Sequence, residues 1–212
     1  MTNLGIHKHT GLNYNIVVIK MDYTEITSEL TKRLSPKRFR HSVGVSQTAQ
    51  SLAVRFGCDK DKAKLAGLLH DLAREVPRNE LLPRAQAFGI VVCDIERIEP
   101  VLLHASLAAK MAQAEFGIND KEILQAIILH TTGGLNMTML DKIICLADAI
   151  EPNRSFKDAD EIRKVAHNDL DKALLMALDQ SICYIVKRGG LIHPATITAR
   201  NQILLKSIVC TE

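Results

Sequence analysis

Five separate stretches of this chain set a histidine or an aspartate on the apolar face of a helical repeat, and that recurrence limits what the chain can fold into. His41 stands one turn before Val45, Ala49, Leu52, Ala53 and Phe56, whose spacing traces one side of a helix. His70, with Asp71 beside it, follows Ala63 and Ala66 at helical steps. His104 lies between Val101 and the pair Leu107 and Ala108; His130 follows Ile123, Ala126 and Ile127; Asp148 follows Ile144 and Cys145. Such spacing turns each ring or carboxylate inward. A single inward histidine needs only a backbone carbonyl as partner. Four histidines and two aspartates need more, because each unpaired buried polar group costs about 1–3 kcal/mol and an ionised carboxylate more. A divalent cation answers that need, since imidazole nitrogen and carboxylate oxygen are its ligands. A metal-free network of His–Asp ion pairs is the competing arrangement.

Helical periodicity carries through most of the chain. Asp22 to Leu34 has helical character. Ser35-Pro36 is a cap followed by proline at the first helical position, and the helix it opens runs to Phe56, where Gly57 stops it. Asp59 caps the next, which the pattern carries to about Ala73. Further helices are expected over 78–88, 100–116, 120–131, 137–149, 158–166, 169–188 and 194–208, with starts at Asn119 or Asp120, at Asn168 or Asp169, and at Pro194. Gly89, Gly117, Gly133-Gly134 and Gly189-Gly190 mark breaks, and Val91-Val92 is too short for a strand. No repeat or linker divides the sequence. The expected fold is all-α, one compact helical domain over 21–212. Residues 1–20 differ, being polar, with His7, His9 and a β-like run from Ile16 to Ile19. They read as an extension, either a start-site extension ahead of Met21 or a short N-terminal arm, and take no part in the chemistry.

Composition narrows the classes of function. Apolar residues make up 47% and charged residues 24% of 212, which suits a folded globular chain. The formal charge is +3 and no stretch gathers the basic patch that a nucleic-acid surface needs, whereas a small anionic ligand needs none. Cys58, Cys93, Cys145, Cys183 and Cys210 lie far apart, which argues against a disulfide framework and a cysteine zinc site. Cys145 and Cys183 fall inside apolar helical patterns and read as buried thiols. No run approaches the ~20 apolar residues of a membrane span, nor does the N-terminus resemble a signal peptide, so the cytoplasm is the default compartment.

Neighbours on a helix point about 100° apart, so His70 and Asp71 reach one ion only at a helix end or around a groove; Gly67, in Ala66-Gly67-Leu68-Leu69, allows the close backbone approach a buried helix end needs. The order His, His-Asp, His, His, Asp resembles the HD-domain superfamily of metal-dependent phosphohydrolases. Longer strings are similar to the YqeK family of symmetrical bis(5'-nucleosyl)-tetraphosphatases. They are Arg40-His41-Ser42, Gly67 to Asp71, Leu103-His104-Ala105, His130-Thr131-Thr132-Gly133, Asp141 to Arg154, Ile192-His193-Pro194 and Ala199-Arg200-Asn201. The likeness spans roughly Tyr23 to Leu205. It implies hydrolysis of diadenosine tetraphosphate to two ADP at an iron centre, with His41, His70, Asp71 and Asp148 as metal ligands. It also implies that His104 and His130 contact nucleotide phosphate or ligate a second metal, and that Thr131, Arg154 and the loop Leu191, Ile192, His193, Pro194, Ala195 and Thr196 form parts of the ADP site, with Arg200 beside them. Arg74-Glu75 after Ala73, where a lysine is usual, and Cys145 and Ala149, where tyrosines often occur, depart from the family pattern and leave every ligand in place.

The expected chemistry needs a nucleophilic water at neutral pH, and metal coordination brings the pKa of water from near 16 toward roughly 7. Asp71 is the candidate for orienting or deprotonating it, His104 and His130 for protonating the leaving phosphate or neutralising its charge. Arg154 offers a bidentate fork to phosphate; a surface ion pair with Glu151 or Asp158 is its plainer role. Manganese or zinc suits the same donors as iron. A homodimer is compatible with such a chain. Competing functions are HD phosphohydrolysis of guanosine polyphosphates, cyclic dinucleotides or nucleoside monophosphates, a non-catalytic nucleotide sensor, and a structural helical module. The single acid in Ala73-Arg74-Glu75 and the absence of a GYP string weigh against the first two substrates.

Overall fold

A computed structural model describes residues 22–209 of the chain; the readings made for 1–20, for Met21 and for Cys210 lie outside them. Eleven α-helices and one 3₁₀ turn follow in order, and no strand occurs among the described residues. They are α1 (Tyr23–Arg33), α2 (Pro36–Phe56), α3 (Lys60–Leu69), α4 (Arg78–Ala87), α5 (Asp94–Ile98), the 3₁₀ turn Pro100–Leu103, α6 (His104–Phe116), α7 (Lys121–Leu129), α8 (Met139–Ile150), α9 (Ala159–Ala166), α10 (Leu170–Lys187) and α11 (Pro194–Val209). The all-α expectation holds. None of these helices is long and apolar enough to cross a membrane.

The starts follow the expected chemistry. Side-chain oxygens of Asp22, Ser35, Asp59, Asp120, Thr138 and Asp169 accept first-turn N–H groups, satisfying donors that have no partner within the helix. Gly57 and Gly117 close α2 and α6 in the left-handed conformation, at φ 68° and 67°.

Beyond shifts of a residue or two at several ends, the structure departs from the periodic reading in four places. α3 stops at Leu69 rather than near Ala73, and successive tight turns follow, closed by Leu72 N–H to Leu69 O at 3.0 Å and Arg74 N–H to Asp71 O at 2.9 Å. α7 stops at Leu129, two residues early, as Gly133 N–H bonds back to Leu129 O. The segment 100–116 divides, with Pro100–Leu103 wound more tightly and His104 opening α6. The short helix α5 has no counterpart in the periodic pattern; the Glu96 carboxylate accepts the Cys93 N–H at its start.

α2 lies along α3 and α8, α7 joins α6 to α8, and α10 covers α8 and α9. Val45, Ala49, Leu68, Leu69, Ile127, Ile143, Ile144 and Leu146 are fully buried between these layers. At Gly67 the backbones of α3 and α2 nearly touch: a Cβ there would come within 2.9 Å of Ser46 Cα. The Ser46 hydroxyl donates to Lys64 O across the same contact at 2.7 Å. Cys145 is buried as expected, but Cys183 is exposed, because it sits on the outer face of α10.

Candidate metal centre

Each histidine of the cluster is fixed at its far nitrogen. His70, at the exit of α3, donates from Nδ1 to Gly67 O at 2.8 Å; His104, opening α6, donates to Val101 O at 2.5 Å; His130, at the exit of α7, donates to Ile127 O at 2.7 Å. On α2, His41 Nδ1 bonds the Glu151 carboxylate at 3.1 Å. A proton held at Nδ1 leaves each Nε2 with its lone pair free. All four Nε2 atoms turn inward, and all four rings are buried.

Their separations are short. His41 Nε2 lies 3.2 Å from His70 Nε2, 3.0 Å from Asp148 Oδ1 and 3.5 Å from Asp71 Oδ2. His70 Nε2 lies 3.4 Å from Asp71 Oδ2 and 3.7 Å from Asp148 Oδ1. Metal–ligand bonds of about 2.1 Å put neighbouring ligand atoms about 3.0–3.4 Å apart, so these spacings match the edges of one coordination shell. The second Asp71 oxygen faces another trio: Oδ1 is 3.2 Å from His104 Nε2 and 3.8 Å from His130 Nε2, which are 3.1 Å from each other. Facing lone pairs at such distances repel unless a proton or a cation stands between them. The donor set is therefore able to hold a divalent cation, and its two oxygens let Asp71 face both trios.

Electrostatics agree with that chemistry. Burial works to raise the Asp71 and Asp148 carboxyls, but the histidines around both, with Arg154 beside Asp148, hold them well below the ordinary range. Burial alone would lower His70; the charges of Asp71 and Asp148 outweigh it and push it up to about 10. Burial, with the charges of His70 and His104, brings His130 down to about 3, so it is neutral near pH 7. That suits a lone-pair donor and weighs against His130 as a proton donor.

Two arginines engage the aspartates. Arg154 donates to Asp148 from Nη2 at 2.5 Å and from Nε to the Asp148 carbonyl at 2.8 Å, so its partner is the site's own carboxylate rather than Glu151 or Asp158. Arg38 Nη1 donates to Asp71 Oδ2 at 2.5 Å. The Thr131 hydroxyl lies 2.9 Å from His130 Nε2 and 3.2 Å from His104 Nε2, with one proton to share between them. Arg38 and Glu151 escaped the sequence reading. Arg38 had a signal, standing three residues before His41 on the same helical face. Glu151 had little, because it follows the last turn of α8, where periodicity no longer gives direction.

Other expected residues lie apart from the cluster. Arg200 pairs with Asp179 at 2.8 Å, and His193 Nε2 meets Cys93 Sγ at 3.5 Å. Among the described residues no hydrogen bond or ion pair joins Leu191 to Thr196, or Arg200, to the cluster. The HTTG turn does approach α11, since a Cβ on Gly133 (φ 62°) would meet Ala199 Cβ at 2.8 Å. A cleft of about 210 Å³ opens onto His130, Thr131, Asp148 and Arg154, with Leu174 and Leu178 of α10 as apolar wall.

The HD domain family model matches residues 38–153, the span that holds all six donors. A protein of Halalkalibacterium halodurans named "Bis(5'-nucleosyl)-tetraphosphatase, symmetrical" is 40% identical, over 82% of this chain and 92% of its own. One of Bacillus subtilis with the same name is 36% identical, over 87% and 98%. A Clostridium acetobutylicum crystal structure, described as a "predicted HD superfamily hydrolase involved in NAD metabolism", superposes with a TM-score of 0.85 at 41% identity, over 88% of this chain and 98% of that one. The chain belongs to the HD-domain family and, within it, to the family of these symmetrical bis(5'-nucleosyl)-tetraphosphatase relatives.

Proposed function

We propose that the chain hydrolyses diadenosine tetraphosphate between its two central phosphates, consuming one water and releasing two ADP. The observation that carries this reading is the convergence of His41, His70, Asp71 and Asp148 at the spacing of one coordination shell, in a chain whose relatives bear that activity in their names. These four residues would hold the metal. Iron is our choice, with manganese and zinc suited to the same donors, and the trio of Asp71, His104 and His130 would hold a second ion or the substrate phosphate. When bound, the metal supplies Lewis acidity and an acidified water.

The protein's own groups do the remaining work. Asp71, whose carboxyl is held ionised, would orient the attacking water and take its proton. Arg154 lines the cleft, where its guanidinium can take phosphate oxygens as charge builds on the leaving ADP. The Thr131 hydroxyl can donate to those oxygens, while neutral His130 offers a lone pair. One nucleoside half lies in the cleft against Leu174 and Leu178. A nucleotide role for Leu191 to Thr196 and Arg200 rests on family likeness alone. The compartment of such a nucleotide is the cytoplasm.

The test is metal dependence. Reconstituted with iron without oxygen, the chain should turn over diadenosine tetraphosphate, and chelator should stop it. Asp71→Ala should lose turnover with its helical circular-dichroism signal retained. Full activity in that variant would sink the ligand assignment.

A further inference from the structure

A second cleft meets the donor set. It is about 570 Å³, reaches His41, and is lined by Lys37, Arg38, Arg40, Asn153 and Arg154. The first cleft reaches His130 and Asp148, and Arg154 and Phe156 line both. The proposed substrate is itself double, two nucleoside diphosphates joined end to end and cut at the middle. A cleavage centre for such a molecule must stand between two diphosphate halves, and only one cleft has yet been given a nucleotide.

We infer that the Lys37–Arg40 cleft binds the second nucleoside diphosphate half, with Lys37 and Arg40 reading its phosphates; the inference rests on the dinucleoside-cleaving role above. The charges of this cleft are unbalanced. Lys37 and Arg40 are exposed, and neither has an ion-pair or hydrogen-bond partner among the described residues. The cleft's single acid, Glu151, is buried and already accepts from His41 and from the Asn153 backbone and side-chain N–H groups. Arg38 spends Nη1 on Asp71, while its Nε is buried with no partner. A buried donor left without an acceptor is costly, and a phosphate brings several acceptor oxygens. These cations sit in the first turns of α2, whose amide end adds positive potential. Arg154, at the junction, faces both halves of a substrate laid across the metal.

Calorimetric titration of ADP into the iron-loaded protein tests this without relying on turnover. The wild-type chain should bind two ADP. Lys37→Glu/Arg40→Glu should bind one, and its KM for diadenosine tetraphosphate should rise about tenfold or more, with kcat reduced much less. Both side chains are exposed, and Lys37→Ala/Arg40→Ala provides a gentler version should the double reversal fold poorly. A single ADP on the wild-type chain, or two ADP and an unchanged KM in the variants, would overturn the inference and leave the hydrolase reading standing. A wild-type chain that makes no ADP from the tetraphosphate would overturn the hydrolase reading, and the ADP count would still decide this one.

Discussion

Glu151 shows how a cluster able to hold a metal depends on a residue outside its donor set. Its carboxylate fixes the His41 ring at 3.1 Å and so decides which nitrogen faces the cluster. Burial works to raise it, but the N–H groups of Asn153 and the His41 ring hold it below its ordinary range. Glu151→Gln should weaken metal affinity about 10–100-fold, measured by chelator competition, with the helical content unchanged. Cys145 gives a second residue-scale expectation. Burial raises its thiol to about 12, so at pH 8 the nucleophilic thiolate is nearly absent. Mass spectrometry after brief alkylation of the native protein should find exposed Cys93 and Cys183 labelled and Cys145 untouched. At this scale the six donors were legible, because the apolar helical repeat that each lies in or directly follows names its direction. Arg38 was half legible and Glu151 was not, since nothing in the spacing ties a glutamate after α8 to His41 on α2.

Helix ends do the positioning. α3 and α7 each stop so that a histidine follows the last helical residue, and each histidine bonds the carbonyl three residues before it. In a continued α-helix His70 and Asp71 would point about 100° apart; the tight turns after Leu69 bring His70 Nε2 within 3.4 Å of Asp71 Oδ2, so that both could reach one ion. Apolar periodicity ran past the end of α3 because the buried residues Leu72 and Ala73 continue its pattern without continuing the helix. Gly67 matters for the same geometry. Gly67→Ala would press a methyl against the α2 backbone, where Ser46 Cα leaves no room and no side chain can swing aside. It should cost about 1–3 kcal/mol in a denaturant titration and weaken metal binding, because α2 carries His41 and α3 carries His70. A fully stable, fully metal-binding variant would contradict the close approach.

Across the whole molecule, five helices and their exits converge on one charged cluster, and a proton and a metal would compete for it. In the metal-free protein His70 is raised to about 10 by Asp71 and Asp148, against about 6.5 in the unfolded chain. A raised histidine stabilises fully below the lower value and loses that contribution as pH climbs through the higher one. The metal-free protein should therefore melt at a lower temperature at pH 9 than at pH 6, from this group. Metal binding has the opposite slope, because it must displace the proton, and affinity should rise with pH over the same window. The all-α class and single helical domain were legible from periodicity, while the clefts flanking the cluster were not, because they arise where segments distant in sequence, such as Lys37 and Asn153, come together.

Product analysis of the iron-loaded protein tests the account most directly. Incubated with diadenosine tetraphosphate and separated by anion-exchange chromatography, the mixture should contain ADP as its only nucleotide product, in twice the amount of substrate consumed. ATP with AMP would place the cut away from the centre of the polyphosphate and contradict symmetrical cleavage at this site.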